Sequence, residues 1–368
     1  MVILRNVKKM WHSNSNELLN MVRKLFFTMA IGFVVSCSDK GTSDTTYDAS
    51  VLDEIQPQDK DVVEIVTDYQ FGNPKQIKVV NDTLLAVFDV NKSVVHLISF
   101  QGRYLGGYGQ IGKGYGEVIS PECLSVSGDS SKIYLYDYRM ARSITLRVSD
   151  MLKGTYNPDV LEYKEYIPME VNRYTCVEQF DDDSYVGFGY NNKCRIQYVS
   201  DGQIISNYTE YPKTDENEEY TWSIWNNSAN YAVSPDRKHV VITTGIGMLF
   251  ELFTIDNGKV SSKLLKGFHK PIYGIAPGAK PACVTYVDET LNGFNTICAT
   301  NDGFYGCIGG EAPNYDLGNV IYYFDYEGNL RNKYKIGTNI ECLTAHKGTV
   351  YAITTDKDGE YHLLSIEM

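Results

Sequence analysis

Residues 75–109 read KQIKVVNDTLLAVFDVNKSVVHLISFQGRYLGGYG, and this stretch decides the fold. It contains four short runs of β-branched, aromatic and other apolar residues, namely QIKVV, LLAVFD, VVHLISF and RYLGGYG. The runs are separated by pairs of turn residues, which are Asn81-Asp82, Asn91-Lys92 and Gln101-Gly102. Short apolar runs with polar turns between them are typical of antiparallel strands joined by hairpins. The stretch therefore predicts one unit of four antiparallel strands.

Units of this kind recur with a period of roughly fifty residues, which is near the length of a β-propeller blade. Five further units are predicted to begin at Glu122, Tyr174, Asn230, near Ile272 and at Asn339. The last unit has only three strands, and a strand-like run, DVVEIVTDY (61–69), precedes the first unit. If that run supplies the missing strand, the ring closes and no edge strand is left open. No amphipathic helix is predicted after about residue 60, and the long fifth unit leaves seven blades as an alternative to six.

This organisation resembles the TolB-like six-bladed β-propeller lipoproteins of Gram-negative anaerobes, and the YDYRMARS stretch (136–143) is similar to NHL-type propellers. The resemblance covers residues 60–368. It implies an all-β fold, a six-bladed β-propeller of four-stranded antiparallel blades, closed by an N-terminal strand.

The N-terminal segment predicts export. Arg23 and Lys24 precede an apolar run of eleven residues, Leu25–Val35, which is shorter than the roughly 20 residues that a membrane-spanning helix needs. The pattern is that of a signal peptide, and Val34-Val35-Ser36-Cys37 resembles a bacterial lipobox, which implies cleavage before Cys37 and lipidation of its sulfur. We therefore expect an outer-membrane lipoprotein that is either periplasmic or surface-exposed. The predicted segments are an upstream extension (1–20), a signal peptide (21–36), a flexible tether (37–59) and the propeller (60–368).

The net charge and the glycine pattern argue against two classes of ligand, nucleic acids and nucleotides. The chain has 34 Lys and Arg against 46 Asp and Glu, for a formal charge of −12, so a nucleic-acid partner is not expected. The stretch GGYGQIGKGYGEV (106–118) contains both G-x-G-x-x-G and G-x-x-x-x-G-K. A nucleotide site needs a helix after such glycines, but Gly114, Gly116 and Pro121 disfavour one. We therefore predict a blade-to-blade connection, with no nucleotide and no cofactor.

Cysteines, histidines and acidic runs predict no metal site. The eight cysteines include no C-x-x-C pair. Cys123, Cys176 and Cys342 fall at similar places in three predicted inner strands and are expected to be buried structural thiols, since a disulfide framework is not expected in so large a domain. The Asp181–Asp183 run offers oxygen ligands for calcium, but it stands where a solvated hairpin turn is predicted.

Function is left open between a binding scaffold and an enzyme. Propeller resemblance places the blade-to-blade connections, and the turns between second and third strands, on one side of the ring. The candidate ligand-binding residues on that side are Tyr108, Tyr115, Arg139, Arg142, Tyr190, Asn191, Trp222, Trp225, His269 and Tyr273. Tyr, Trp and Arg are typical of interface hot spots, and a protein, peptide or glycan partner is expected. The alternative is a polysaccharide lyase or glycosidase, which needs carboxylates, His or Tyr converging at the mouth of the central channel.

Overall fold

The computed structural model describes residues 46–91, 93–114, 116–155, 162–166, 174–191, 194–226, 229–279, 282–309 and 318–368. In this part of the chain, six sheets that each contain four antiparallel strands follow one another as blades. The first strands of neighbouring blades contact each other and surround a central channel. The prediction of a six-bladed, all-β propeller is confirmed, and the seven-bladed alternative is wrong.

In the first three blades, the strands follow one another along the chain from the channel outward. Blade 1 consists of β3 (Pro74–Asn81), β4 (Leu84–Asp89), β5 (Val95–Ser99) and β6 (Tyr104–Tyr108). Blade 2 consists of β9 (Pro121–Val126), β10 (Lys132–Asp137), β11 (Arg142–Arg147) and β12 (Glu162–Glu165). Blade 3 consists of β13 (Cys176–Gln179), β14 (Tyr185–Asn191), β15 (Cys194–Ser200) and β16 (Gln203–Tyr208).

The other three blades follow the same order, and two of them recruit N-terminal strands. Blade 4 consists of β17 (Asn230–Val233), β18 (His239–Thr243), β19 (Leu249–Asp256) and β20 (Lys259–Gly267). Blade 5 consists of β23 (Phe294–Ala299), β24 (Gly303–Ile308), β25 (Val320–Asp325) and β26 (Leu330–Lys335), with β1 (Gln58–Asp59) added in parallel outside β26. Blade 6 consists of β27 (Asn339–His346), β28 (Thr349–Thr355), β29 (Tyr361–Glu367) and β2 (Val62–Glu64).

Short elements lie in the connections. Two small ribbons pair β7 (Gln110–Ile111) with β8 (Glu117–Val118) and β21 (Gly274–Ile275) with β22 (Val284–Thr285). A 3-10 helix spans Ser50–Leu52. Two α-helices, α1 (Val148–Lys153) and α2 (Glu218–Asn226), were not predicted. They are only six and nine residues long, too short for a recognisable apolar period.

Packing between blades explains why the second strands read as unbroken apolar runs. Every residue of β4 and of β24 is buried, because a neighbouring blade covers each face of the sheet. Such strands have no solvent face and hence no polar alternation. The core is accordingly a series of layers between blades, such as the one that groups Phe250 of blade 4 with Phe294, Phe304 and Phe324 of blade 5.

The first strands are joined around the channel by side chains that bond to the backbone of the next blade. Leu124 N donates to Gln76 Oε1 at 2.7 Å, and Gln179 N donates to Ser125 Oγ at 3.1 Å. Asn230 Nδ2 donates to Phe294 O at 2.8 Å, and Asn295 Nδ2 donates to Ile340 O at 2.7 Å. These bonds satisfy backbone groups at the inner edges of the blades, where no further strand is available.

The N-terminal strand closes the ring as predicted. β2 pairs antiparallel with β29, and Val62 stands opposite Ile366. The predicted tether is wrong for residues 46–59, however, since this segment packs on blades 4 and 5. Tyr47 forms a parallel bridge with Gly267, and Leu52 is buried. The folded domain therefore begins before residue 60, whereas residues 1–45, including the predicted signal peptide and Cys37, lie outside the described residues.

The start of the fifth blade is a second correction. It was predicted near Ile272, but β23 begins at Phe294. The described residues between β20 and β23, 268–279 and 282–293, form a long connection that contains the ribbon of β21 and β22. The run GFYGCI (303–308) is the buried second strand β24. Gly306 is needed there, because a Cβ at this position would lie 2.7 Å from the Phe294 ring.

Candidate functional site: the first face and the central channel

The ring has two faces with different surfaces. We call the first face the rim formed by the blade-to-blade connections and by the turns between second and third strands. The opposite face is formed by the turns between first and second strands and between third and fourth strands. Among the described residues, seven of the eleven exposed large apolar side chains lie in these first-face segments, namely Val66, Val90, Ile111, Tyr138, Met140, Ile272 and Ile275. None of the eleven lies in a turn between first and second strands. A contiguous patch of exposed apolar side chains is a candidate interaction surface.

A buried aspartate organises the first-face turn of blade 2. Asp137 ends β10 and is 1% exposed. Its Oδ2 accepts a hydrogen bond from Ile119 N at 2.6 Å, and its Oδ1 accepts one from Met140 N at 3.1 Å. Tyr138 N in turn donates to Ser120 O at 2.9 Å. The carboxylate thus binds the turn to the incoming connection, so that the side chains of residues 138–140 project outward from a fixed backbone.

The same device holds the corresponding turn of blade 1. Asp89 is fully buried, and it accepts hydrogen bonds from Gly72 N at 2.8 Å, Asn73 N at 2.5 Å and the Tyr69 hydroxyl at 2.8 Å. Asp89 and Asp137 thus occupy equivalent positions, at the ends of the second strands of blades 1 and 2. Both are positioning residues, because their carboxylates accept hydrogen bonds from backbone amides.

Two arginines flank the blade 2 turn. Arg142 lies with its guanidinium 3.9 Å from the centre of the Tyr163 ring, a cation–π contact that fixes the plane of the group. Arg139 is exposed and forms no ion pair with any described residue. One arginine is therefore pre-oriented and the other is available to a ligand.

The central channel encloses a cavity of about 790 Å³ lined by the first strands. Lys78 Nζ of blade 1 spans to Glu178 of blade 3, at 3.0 Å and 2.9 Å from its two carboxylate oxygens. At the opposite face, Arg237 of blade 4 stacks 4.7 Å from the Phe180 ring centre and donates to Phe180 O at 3.2 Å. The channel is thus cross-braced by charged groups that already have partners.

A disulfide lies in the channel wall, contrary to expectation. Cys123 and Cys176 of neighbouring first strands are bonded, with their Cα atoms 5.6 Å apart. Cys342 remains a buried thiol, as predicted. Burial raises the pKa of the Cys298 thiol, which also lines the channel, to about 12. At neutral pH this wall thiol is therefore protonated and a poor nucleophile.

The arrangement of six blades matches a known family. A family model described as TolB-like 6-blade propeller-like matches residues 56–348. The chain belongs to this family. No curated protein sequence gives a significant match.

Solved structures agree with this TolB-like fold. One is a protein of Bacteroides fragilis NCTC 9343 that is thought to be exported; it has 12% identity and a TM-score of 0.53, over 88% of this chain and 97% of that one. Another is a member of the duf4221 family from Bacteroides vulgatus, with 8% identity and a TM-score of 0.50, over 85% of this chain and 97% of that one. At such identities the likeness shows the fold alone. Among the described residues of the TolB-like chain, no helix is long and apolar enough to cross a membrane.

Two of the predicted binding residues of the TolB-like propeller are buried. Tyr108 is 7% exposed and packs between blades 1 and 2, where its hydroxyl donates to Met151 O at 2.7 Å. Trp225 is 1% exposed, and the Arg195 guanidinium lies 4.8 Å from its ring centre. The prediction that they lie on the binding rim is wrong, because both side chains stabilise the inter-blade core.

Three other predicted residues lie near α2 and the connection that follows blade 4. Trp222 and His269 are half-buried. The Tyr273 hydroxyl donates to Asp215, and both burial and that carboxylate raise the pKa of Tyr273 above its ordinary value. Tyr273 is therefore a neutral donor at physiological pH, and it holds the connection against the segment that precedes α2.

The remaining predicted residues are only partly described. Asn191 ends β14 and pairs with Cys194. Tyr190 lies in the same strand, but its side chain is outside the described part. Tyr115 and the predicted lipidation residue Cys37 also lie outside the described residues. Of the ten predicted ligand-binding residues, Arg139 lies in the turn between β10 and β11 and Arg142 begins β11, and ligand binding stays a prediction.

Two further sequence motifs have structural roles. In the glycine-rich stretch, Glu117 Oε2 accepts a hydrogen bond from Gly114 N at 2.6 Å, and strands β8 and β9 follow instead of a helix. The geometry that a phosphate loop needs is therefore not formed there. In the acidic run, Asp181 accepts the amides of Asp183 and Ser184, while Asp182 pairs with Lys132. The run is used in a hairpin turn.

Proposed function

We propose that the protein is an exported lipoprotein, anchored through Cys37, whose propeller binds a partner on its first face. The lipobox-like sequence and the short apolar run support the anchor. The Cys123–Cys176 disulfide supports an oxidising compartment outside the cytoplasm. The exported description of the Bacteroides fragilis neighbour is in keeping with this location.

The observation that carries the proposal is the surface at the junction of blades 1 and 2. Val90, Ile111, Tyr138 and Met140 are between 37% and 46% exposed on three consecutive first-face loops. Arg139 stands among them. Apolar and aromatic side chains with arginine are enriched at interface centres. The opposite face, in contrast, carries charged side chains that pair with one another between neighbouring blades.

The chemistry of this surface favours an anionic ligand group beside an apolar one. A guanidinium binds a carboxylate bidentately, and Arg142 is already held in plane by Tyr163. A peptide with acidic and apolar residues, or a glycan with an acidic sugar, would satisfy both features. Binding of either class needs no charged group to be buried without a partner.

An enzyme acting on polysaccharide is the alternative, and the channel bears on it. Glycosidases use two carboxyl groups of different pKa. Partial burial and the nearby Asp137 raise the pKa of Glu122, although its hydrogen bond from Ser120 opposes the shift. Glu178, the other acidic residue described in the channel lining, is bonded to Lys78. Because Glu178 is engaged in that ion pair, we favour the binding scaffold.

Site-specific photo-crosslinking in living cells tests the proposal. A photoreactive amino acid at Tyr138 should yield one discrete adduct, and Arg139→Ala with Arg142→Ala should abolish it. The matched control is the same probe at Asp129, which lies in a turn of the opposite face. Equal adducts from both positions, or an adduct that is indifferent to the arginine substitutions, would refute the proposed face.

A further inference from the structure

The N-terminal segment leaves the domain at the junction of blades 4 and 5. Asp48 N donates to Gly267 O at 3.0 Å, at the end of β20. Leu52 is 7% exposed among apolar residues of blades 4 and 5, and Lys333 Nζ donates to its carbonyl oxygen at 2.7 Å. Residues 46–59 thus form a strap that is fixed to the outer edge of the ring.

The strap shortens the link to the anchor. Between Cys37 and Tyr47 there are ten residue steps. A fully extended chain covers at most about 3.6 Å per residue, so the chain allows at most about 36 Å between Cys37 and Tyr47, the residue that is bridged to Gly267. A tether running to residue 59 would have reached roughly twice as far. The junction of blades 4 and 5 is therefore held close to any membrane that carries the anchor.

An apolar surface lies beside this attachment point. The connection that starts after Gly267 exposes Ile272 and Ile275 by 47% and 51%, and Lys270 is exposed as well. The connection has a rigid base, because Pro271 packs on Gly247, where φ is +79° and a Cβ would meet Pro271 N at 2.6 Å. Isoleucine and lysine side chains together suit the boundary between headgroups and acyl chains.

We infer that Ile272 and Ile275 dock on the surface of the lipid bilayer that holds the Cys37 anchor. The inference rests on the proposed anchor. A short tether gives the two side chains a high effective concentration at the bilayer, so that a patch too weak to bind alone is sufficient. Lys270 adds attraction to anionic headgroups.

The docking site is separate from the proposed partner site. In a ring of six blades, the junction of blades 1 and 2 stands across the axis from the junction of blades 4 and 5. Ile272 and Ile275 are therefore separated from the Tyr138 and Met140 surface by the width of the ring, although both surfaces lie on the first face. The two apolar surfaces of the first face then have different occupants.

Hydroxyl-radical footprinting of the full lipidated chain tests the inference, with vesicles of phosphatidylethanolamine and phosphatidylglycerol compared with detergent. Immersion removes most of the accessible surface of a docked side chain, so oxidation of Ile272 and Ile275 should fall by about threefold or more in vesicles. The matched controls are Ile204 and Ile205 of β16, each 48% exposed, which should be oxidised equally in both media. Met140 should also stay fully reactive.

In the variant Ile272→Asp with Ile275→Asp, the remaining residues of the connection after β20 should no longer be protected from oxidation by vesicles. In the control variant Ile204→Asp with Ile205→Asp, the connection should stay protected. Mass spectrometry of the N-terminal peptide separates the two levels of the argument. An unmodified Cys37 overturns the anchor and the docking together. A lipidated Cys37 with Ile272 and Ile275 as reactive in vesicles as in detergent overturns the docking alone, as does equal protection of both isoleucine pairs.

Discussion

Replacing Cys123 and Cys176 with alanine removes the covalent link between the first strands of blades 2 and 3. Both side chains are buried, at 4% and 7% exposure, and alanine keeps that part of the channel wall apolar. The substitutions leave the hydrogen-bond donors and acceptors nearby unchanged. Their main effect should therefore act on the unfolded chain, which gains the conformations that the bridge forbids.

The size of the effect follows from the loop that the bridge closes. The two cysteines are separated by 53 residues. In the chain-entropy treatment, releasing a loop of that length lowers the free energy of unfolding by about 4 kcal/mol at 25 °C. This is a large share of the roughly 5–15 kcal/mol by which a typical domain is stable.

Urea unfolding of the chain without its signal peptide measures this difference. We expect the free energy of unfolding of the oxidised wild-type protein to fall by about 4 kcal/mol when a reducing agent is added. The double alanine variant should resemble the reduced wild type and should not respond to the reducing agent. If the variant and the oxidised wild type unfold at the same urea concentration, the bridge does not stabilise the ring. If the reducing agent still destabilises the double alanine variant, the destabilisation comes from other cysteines.

Three further predictions follow from buried or paired groups. Leu52→Ala should lower the free energy of unfolding by about 2–5 kcal/mol and expose the strap to proteases, which limited proteolysis detects. Glu251→Gln leaves Arg195 buried without its charged partner, 2.6 Å away in the wild type, and should lower it by about 3–5 kcal/mol. Glu64 raises the pKa of His362. The pair therefore stabilises the fold fully below about pH 6.5, and this stabilisation is lost as the pH rises through the raised pKa of the folded state. Urea unfolding should show that His362→Gln is destabilised near pH 6 but not near pH 9.

The blade count and the ring closure were predictable from sequence because turn residues and strand runs are local signals. The three-stranded last unit and the unassigned run at 61–69 defined the closure together. The fifth blade was misplaced because the runs between residues 268 and 293 have strand composition, but their described part forms the short β21–β22 ribbon and one isolated bridge instead of a blade strand. Pairing partners are decided by tertiary contacts, and composition does not carry them.

The sequence predicted the residue types of the candidate site but not which of those residues lie at the surface. Residue type marked Arg139 and Arg142, but it marked Tyr108 and Trp225 equally, because aromatic side chains serve both cores and interfaces. The surface position of Tyr138 and Met140 depends on how Asp137 holds their turn. The disulfide was missed although Cys123 and Cys176 occupy equivalent places in adjacent first strands, a signal that could have found it.

The claim that the junction of blades 1 and 2 binds the partner is tested most directly by calorimetric titration with the purified partner that photo-crosslinking identifies. The account predicts that Arg139→Ala with Arg142→Ala weakens binding by at least about tenfold, or about 1.4 kcal/mol, at an unchanged melting temperature. The control is Lys347→Ala on the opposite face, which should bind at full strength. Full-strength binding by the double arginine variant, with binding lost in the opposite-face variant, would contradict the account.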